Sequence, residues 1–262
     1  MRLYARLLAM QLRLSLTLAM QYRVDFIGAS LLSLGNYAVA LVPFIVVFGN
    51  HRTIAGWSWQ EALVVFGWFV MLRAVLEGAI TPSLTAVVDH IRKGTLDFVI
   101  LKPADAQFLV STARFLPQRV TDFLGGVTIV VVAFHELHRW PEPRHVAAAV
   151  AMLFVALAVL YSLWILVISV AFIAVRVDNL SFLFSSIFDA ARWPSSVFRG
   201  ALGFVFTFVI PLAVMTTTPA QALLGTLSVE GTATSLAGAA LFSVVARRIW
   251  LGAIRKYTSA GG

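Results

Sequence analysis

The stretch TPSLTAVVDHIRKGTLDFVILKPAD, residues 81–105, is the most polar segment in the first half of the chain. Apolar segments flank it on both sides, at about residues 61–80 and 108–134. A helix of about 20 apolar residues is long enough to cross the hydrocarbon core of a bilayer. The pattern therefore predicts two membrane-spanning helices joined by a polar loop.

The composition extends this interpretation to the whole chain. Hydrophobic residues make up 60% of the sequence and charged residues 12%, whereas a soluble domain has roughly half and roughly a quarter. The 262 residues allow five to seven spans of about 20 residues and no extramembrane domain of ordinary size. We therefore expect an all-α polytopic membrane protein with a single transmembrane domain over residues 1–262.

Six spans are predicted in total. Five of them lie at about residues 26–48, 61–80, 108–134, 146–174 and 233–250. The remaining one, fifth along the chain, falls within residues 180–231, where two interpretations are open. Either the span covers about 180–200 and the rest dips back into the outer leaflet, or it covers 200–218 and residues 180–198 lie on the inner surface.

Residues 2–22 are predicted to form a helix that lies on the membrane. Arg2, Arg6 and Arg13 are spaced by four and seven residues, so they fall on one face of a helix whose other positions are largely apolar. A cationic stripe of this kind suits the interface beside anionic lipid. The alternative, the start of a long first span, would bury three arginines in lipid. The same arginines argue against a cleavable signal peptide.

The distribution of Lys and Arg predicts the orientation. The N-terminal helix, the segment 81–120 and the C-terminal end are rich in both residues, whereas the opposite loops contain only Arg52, Arg139 and Arg144. Basic loops are retained on the cytoplasmic side, so both termini are expected in the cytoplasm. The net charge of +8 has the same explanation, and we expect lipid rather than nucleic acid as the partner.

Several kinds of chemistry are not expected in this chain. It lacks the G-x-x-x-x-G-K-[ST] phosphate loop, so nucleotide hydrolysis is not predicted. With no cysteine it has no thiolate metal site, and we interpret His135, His138 and His145 as chance neighbours rather than zinc ligands. Nothing around Asp122 and Asp189 is typical of an intramembrane protease. We therefore predict that the chain is not an enzyme and holds no metal or cofactor.

The segment TAVVDHIRKG has helical spacing, with Val87, Val88 and Ile91 on one side and charged residues on the other. Gly94 follows as a helix stop. The sequence thus predicts a short amphipathic helix on the cytoplasmic side. Such a helix either docks a cytoplasmic partner or lies on the membrane surface between spans two and three.

The string IRKGTLDFVILKPAD, residues 91–105, resembles the first cytoplasmic loop of ABC-transporter permeases in the type-2 exporter class. Those loops have the form basic–Gly–x–Leu–Asp–x–x–Leu–x–[KR]–Pro. Three further stretches are similar to that family: QYRVDF before the first span, the Trp193–Pro194 pair, and the later region containing Ile210–Pro211 and TPAQALLG at 218–225.

The resemblance implies an interfacial N-terminal helix, six spans, and re-entrant helices on the outer side between the last two spans, which favours the first interpretation of 180–231. It also implies a separate cytoplasmic ATPase that carries ATP and Mg²⁺, and a second permease that is identical or related. The first cytoplasmic loop would couple to that ATPase. The implied coupling residues are Asp89, His90, Arg92, Lys93, Gly94 and Asp97.

Ionisable residues within the spans are candidates for a substrate path or gate. Arg73 and Glu77 are four residues apart on span two, and Arg119 and Asp122 are three apart on span three. Charges at such depth face other helices or water. They either line a path for an anionic or amphipathic substrate or neutralise each other, and we favour neutralisation.

A second group of polar residues precedes the last span. The group, which forms either an external gate or an anchor at the interface, consists of Asp189, Arg192, Trp193 and Arg199.

The leading hypothesis is a permease subunit of an ATP-driven exporter in the cell (inner) membrane. A stand-alone secondary transporter or channel is the alternative, and an intramembrane enzyme ranks last.

Overall fold

A computed structural model describes residues 2–21, 23–170, 172, 182 and 185–256. Apart from one short hairpin, the regular structure in these ranges is helical. The two strands are β1 (Thr53–Ile54) and β2 (Trp57–Ser58). The helices are α1 (Arg2–Gln21), α2 (Arg23–Gly49), α3 (Trp59–Val75), α4 (Thr81–Arg92), α5 (Asp97–Ile100), α6 (Ala106–Ser111), α7 (Arg119–Glu136), α8 (Pro143–Val170), α9 (Gly200–Val209), α10 (Ala213–Leu224) and α11 (Val229–Lys256).

One helix of 34 residues runs without interruption from Trp59 to Arg92. It consists of α3, a π-helical turn over Leu76–Ile80, and α4. At its start the Ser58 hydroxyl accepts from the Glu61 amide at 3.3 Å and the Glu61 carboxylate accepts from the Ser58 amide at 3.0 Å, which forms a capping box. At its end Gly94 adopts a φ of +65°, as predicted for a helix stop. The predicted short helix is therefore the end of span two rather than a separate element.

The α3 and α7 helices cross at two glycines. A Cβ on Gly126 would lie 2.7 Å from the Gly67 carbonyl oxygen, and a Cβ on Gly67 would lie 2.9 Å from that of Gly126. Small residues allow helix backbones in a membrane to approach this closely. Because Gly78 also lies against Arg119, the two helices are antiparallel and pack along most of their length.

The bundle has two ends, which we name by their connections. The hairpin end carries β1 and β2, whose two-residue turn at Ala55 and Gly56 has positive φ at both positions, as tight hairpins require. The loop end carries α4, α5 and α6. The α1 helix lies across this end, where the Tyr4 hydroxyl accepts from the Asp105 amide at 3.2 Å and the Ser15 hydroxyl accepts from the Phe115 amide at 3.3 Å.

Four helices among the described residues have both the length and the apolar composition of a membrane span: Val24–Gly49, Trp59–Arg92, Pro143–Val170 and Val229–Lys256. The α7 helix has 18 residues, but Arg119, Asp122 and Glu136 lower its hydropathy. A fifth candidate is the pair α9 and α10, which meet at 67°. The protein is thus an all-α membrane protein with several spans.

The predicted third span, 108–134, is wrong as one helix. It is divided into α6 and α7, with non-helical residues between Ser111 and Arg119. Pro117 has no amide hydrogen and disfavours helix in the residue before it. The Leu116 amide instead donates to the Gly78 carbonyl at 2.7 Å.

Predictions for the region around residue 180 fall largely outside the described residues. This applies to the end of span four beyond Val170 and to residues 180, 181, 183 and 184 at the start of a span over 180–200. The described residues 185–200 do not form one continuous helix, because they contain two short 3-10 helices, Asp189–Arg192 and Ser195–Val197, separated by Trp193 and Pro194. The segment just before α9 lies at the hairpin end, because the Trp57 indole donates to the Ser196 hydroxyl at 3.1 Å. Gly225 ends α10 with a φ of +74° and lies against the ring of His145 at the start of α8. Both ends of the α9–α10 segment therefore lie at the hairpin end.

Candidate functional site

Six charged side chains form one continuous cluster between three parts of the chain. Its centre is Glu77, whose Oε1 lies 2.7 Å from Arg73 Nε and whose Oε2 lies 2.6 Å from Arg119 Nη2. Because Arg73 belongs to α3 and Arg119 to α7, one carboxylate joins two helices.

The cluster extends in both directions from this centre. Beyond Arg119, the Nη1 atom lies 2.9 Å from Asp122 Oδ2. Beyond Arg73, the guanidinium donates to Asp189, which also pairs with Arg192 at 3.5 Å. Positive and negative side chains alternate through the whole cluster and their charges cancel. We call it the charge ladder, formed by Arg192, Asp189, Arg73, Glu77, Arg119 and Asp122.

Local structure explains how the ladder forms. The π-helical turn Leu76–Ile80 places Glu77 beside both arginines, and such turns are often found at functional sites. Gly78 allows α7 to approach, since a Cβ there would lie 3.0 Å from Arg119 Cβ. Spacing along one helix therefore accounts for the Arg73–Glu77 and Arg119–Asp122 ion pairs. The packing of α3 against α7 joins the two pairs through Glu77 and Arg119.

A cavity of about 460 Å³ lies beside the ladder, between α2 and α3. Three arginines and one carboxylate line it: Arg73, Arg119, Arg192 and Glu77. The remaining lining residues are Ala29, Leu32, Ser33, Asn36, Tyr37, Ala40 and Phe69. We call it the polar cavity.

Phe69 and Ser33 orient the arginines of this cavity. The guanidinium carbons of Arg73 and Arg192 lie 5.9 Å and 5.8 Å from the centre of the Phe69 ring, within the range of cation–π attraction. Arg119 Nη1 donates to the Ser33 hydroxyl at 3.1 Å. The cavity therefore presents fixed cationic groups beside an aromatic ring.

Two buried polar atoms of the ladder have no hydrogen-bond partner among the described residues. They are Oδ1 of Asp122, a residue that is 0% exposed, and Nε of Arg119. Buried polar groups are normally paired, so the ladder has hydrogen-bonding capacity left at Arg119 and Asp122.

A second polar cluster lies at the loop end, and the sequence analysis did not identify it. Arg247 of α11 donates to Asp105 at 2.5 Å and 3.3 Å and to Gln107 Oε1 at 2.5 Å. Gln107 in turn donates to the Tyr161 hydroxyl of α8 at 2.9 Å, and Tyr4 of α1 accepts from the Asp105 amide. We call this cluster the loop hub, because it connects the end of the 81–105 loop to three helices.

The Arg247 guanidinium lowers the pKa of the Asp105 carboxyl, with further help from the amide of Phe108 that hydrogen-bonds to it. Asp105 is the N-cap of α6, a role that its position before an apolar run does suggest. Its pairing with Arg247, which lies 142 positions further along the chain, cannot be recognised from the sequence around Asp105.

The segment predicted to couple to a partner is largely exposed at the loop end. Asp89, Arg92 and Lys93 are exposed, and Asp97 begins α5. The His90 ring lies 2.8 Å from the Thr95 hydroxyl across the turn at Gly94. Beside them, Phe98 is 69% exposed and Leu101 is 80% exposed. The exposed surface at the loop end therefore combines apolar side chains with charged ones.

A sequence model described as "ABC-2 family transporter protein" matches residues 34–261. The chain belongs to this family. No curated protein and no solved structure matches it significantly. The resemblance noted in residues 91–105 is thereby confirmed, and this ABC-2 family member is a multi-pass membrane component of a transport system. The α1 helix precedes the matched region.

The structure places the candidate gate residues of this ABC-2 family protein in two groups. Asp189 and Arg192 belong to the charge ladder, and the Trp193 ring stacks on Phe44 with ring centres 3.9 Å apart. Arg199 is exposed at the start of α9, and no contact joins it to the ladder among the described residues. Both predicted ion pairs are present, and their role in transport stays a prediction.

No group of three metal-ligating side chains occurs in the described ranges. The rings of His135 and His138 lie 6.5 Å apart.

Proposed function

We propose that the protein is the permease subunit of an ATP-driven ABC exporter. It moves its substrate by alternating access, and a separate ATPase that binds ATP and Mg²⁺ drives the movement. Membership of the ABC-2 family supports this proposal, and the absence of a phosphate loop from the sequence is consistent with an ATPase on another chain.

The observation that carries the proposal is the exposed surface at the loop end, formed by Asp89, Arg92, Lys93, Phe98 and Leu101. We call it the docking surface. A protein interface typically combines an apolar centre with a polar rim, and this surface offers both. It also lies at the end of the unbroken helix that carries Arg73 and Glu77. A partner bound there contacts the helix that holds the charge ladder.

The proposed topology has six spans, with both termini and the loop end in the cytoplasm and the hairpin end outside the inner membrane. The excess of Lys and Arg at the loop end supports this orientation. The α9–α10 segment is then a re-entrant hairpin on the outer side, since both of its ends lie at the hairpin end.

The proposed assembly contains two permeases, identical or related. The α2 and α11 helices support it, because each exposes a row of large apolar side chains to its surroundings. Those on α2 include Ile27, Leu31, Val39, Ile45 and Val46, and those on α11 include Leu236, Leu241, Val244 and Ile249. Lipid and a second permease both suit such faces.

The test is co-purification with candidate ABC ATPases, followed by the double change Arg92→Glu and Lys93→Glu. We expect the variant to lose complex formation and substrate-stimulated ATP hydrolysis, because the charge at the docking surface is reversed. The matched control is Arg52→Glu with Arg139→Glu, which reverses two exposed arginines at the hairpin end and should leave both properties intact.

Full complex formation and full stimulation in the docking-surface variant would overturn the coupling assignment. Transport by the purified protein in proteoliposomes without any ATPase would overturn the ATP-driven mechanism and support a stand-alone transporter or channel.

A further inference from the structure

Two cavities of different character meet at Arg119. The polar cavity lies on one side. On the other side is a cavity of about 330 Å³ between α1, α3 and α7, which Arg119 also lines. Its other lining is apolar and includes Leu12, Leu16, Val75, Ala79, Phe115 and Phe123. We call it the apolar cavity.

From this juxtaposition we infer that the protein binds an anionic amphiphile, with its acidic head group in the polar cavity and its hydrocarbon chain in the apolar cavity. The inference rests on the proposed transport function and names the class of substrate.

The charge of the polar cavity selects an anionic head group. Three arginines and one carboxylate line it, whereas Asp122 and Asp189, the other two carboxylates of the ladder, are not part of its wall. A head group in this cavity therefore meets an excess of guanidinium groups. A cationic head group cannot accept hydrogen bonds from these guanidinium groups, and a neutral acceptor gains weaker hydrogen bonds from them than an anion does.

The arginines also have donors to offer. A guanidinium has five N–H groups, and the contacts of Arg192 within the described residues use only Nε and Nη2. Those of Arg73 use Nε and Nη1. One nitrogen of each side chain thus has no hydrogen-bonding partner among the described residues. Both guanidinium groups lie near the Phe69 ring and line the polar cavity, so each can donate to an acidic head group there.

The apolar cavity suits a hydrocarbon chain. Its volume is within the range of small-molecule sites, ~300–1,000 Å³, and Arg119 is the one charged residue in its wall. Leu12 and Leu16 come from α1, which from Arg2 to Gln21 has no buried residue. A chain in the apolar cavity would therefore bury surface between α1 and the helices behind it.

Arg119 joins the two cavities chemically as well as spatially. It contacts Glu77 and Asp122 through its Nη atoms, and it lines both cavities. A ligand whose charged and apolar parts are covalently linked fits this arrangement better than a free inorganic anion, which would fill only the polar side.

The test uses the purified full-length protein in nanodiscs of uncharged phosphatidylcholine, without ATPase. The probes are dodecyl phosphate, dodecyltrimethylammonium and inorganic phosphate, and binding is followed by the change in tryptophan fluorescence. We expect saturable binding of dodecyl phosphate, at least ten times weaker binding of inorganic phosphate, and no saturable binding of the cation.

Two variants then separate the head-group and chain sites. Arg192→Gln should weaken dodecyl phosphate binding at least tenfold, with Arg139→Gln at an exposed site as its control. Ala79→Phe fills the apolar cavity, so it should weaken dodecyl phosphate at least tenfold and leave inorganic phosphate binding unchanged. Its control is Ala237→Phe on the exposed face of α11.

Equal affinity for the cationic and anionic amphiphiles would overturn the inference, as would unchanged dodecyl phosphate binding in Arg192→Gln. Tight binding of inorganic phosphate that Arg192→Gln abolishes and Ala79→Phe leaves intact would replace the amphiphile by a free anion. These measurements need no ATPase. Failure of the coupling experiment would therefore leave the binding result standing, and the reverse also holds.

Discussion

At the scale of single residues, Asp105 connects the end of the polar loop to the last helix. Its carboxylate receives two hydrogen bonds from Arg247 and one from the Phe108 amide. Its pKa in the folded protein is lowered, chiefly by Arg247. A carboxyl with a lowered folded-state pKa stabilises the protein above its unfolded pKa, about 3.9 for Asp. That contribution is lost as the pH falls through the folded-state value.

We predict that Asp105→Asn lowers the melting temperature at pH 7.5 and that the difference from the unchanged protein disappears at pH values well below about 4. Asn retains the N-cap of α6, so the change isolates the pairing with Arg247. Because the side chain of Asp105 is 36% exposed, solvent screens the pair and the effect at neutral pH is at most about 1 kcal/mol. Differential scanning fluorimetry in detergent measures it.

Glu230→Gln, at an exposed position at the start of α11, is the control and should leave the melting temperature unchanged at both pH values. A difference for Asp105→Asn that persists undiminished at pH 3 would show that ionisation of Asp105 does not stabilise the fold.

The residues of the charge ladder differ in how far the sequence reveals them. The Arg73–Glu77 and Arg119–Asp122 pairs follow from spacing along one helix, and both are present. The contacts from Glu77 to Arg119 and from Arg73 to Asp189 depend on how separate segments pack. Spacing along the chain carries no information on that packing, so the sequence predicts the pairs and not the ladder.

At the scale of elements, the crossing of α3 and α7 sets the distance between Glu77 and Arg119. The two helices approach at Gly67 and Gly126, where backbone atoms occupy the space that a Cβ would need. Any side chain at this crossing must separate the helices, and the ladder contacts lie along the same pair.

We predict that Gly126→Ala destabilises the protein by about 1–3 kcal/mol, the usual cost of overpacking a tight contact. The added Cβ would lie 2.7 Å from the Gly67 carbonyl oxygen and 2.9 Å from the Met71 amide nitrogen, and backbone atoms cannot move aside as a flexible side chain can. The measurement is the midpoint of thermal unfolding in detergent.

Gly35→Ala on α2 is the matched control, because a Cβ there meets nothing within 4 Å. It should be neutral or slightly stabilising, since alanine is the better helix former. Equal unfolding midpoints for the two variants would show that the α3–α7 crossing is looser than the structure has it.

Element boundaries were predictable where one residue type enforces them. Gly94 ends the long helix, as expected for a residue with positive φ. The continuity of α3 and α4 was not predictable, because the change from apolar to amphipathic sequence near residue 81 looks like a boundary. Pro117 was visible within span three, yet its effect depends on the carbonyl of Gly78, which accepts from the Leu116 amide.

At the scale of the whole molecule, the orientation of the bundle in the membrane determines which surfaces meet an ATPase and which face outward. The chain contains no cysteine, so single cysteines can be introduced without first replacing native ones. Exposed positions are available at both ends of the bundle, at Lys93 on the loop end and at Arg139 on the hairpin end.

We predict that a membrane-impermeant maleimide labels Arg139→Cys and Arg199→Cys in intact cells and labels Lys93→Cys only after the cells are opened. The first two positions are at the hairpin end in the proposed topology, and the third is cytoplasmic. Arg199 also distinguishes the two interpretations of residues 180–231, because a span over 200–218 would place it inside. Labelling of Arg199→Cys only in opened cells would overturn the re-entrant hairpin.

Composition and charge predicted the broad architecture, because the bilayer imposes both on any chain that crosses it. They did not predict how many of the described helices are long and uniformly apolar, since α7 contains Arg119 and Asp122 of the ladder within its 18 residues.

The unbroken helix from Trp59 to Arg92 is about 51 Å long at 1.5 Å per residue, and it makes α3 and α4 a lever. If the helix pivots at the tight crossing at Gly67, the pivot lies about 37 Å from Arg92 and about 15 Å from Glu77. A push of about 3 Å at the docking surface then displaces Glu77 by roughly 1 Å, since the arms differ about 2.5-fold. A displacement of this size along the line that joins Glu77 and Arg119 would lengthen their 2.6 Å contact beyond the usual length of an N–H···O hydrogen bond. We therefore expect a small movement at the docking surface to weaken the contact between α3 and α7 at the charge ladder.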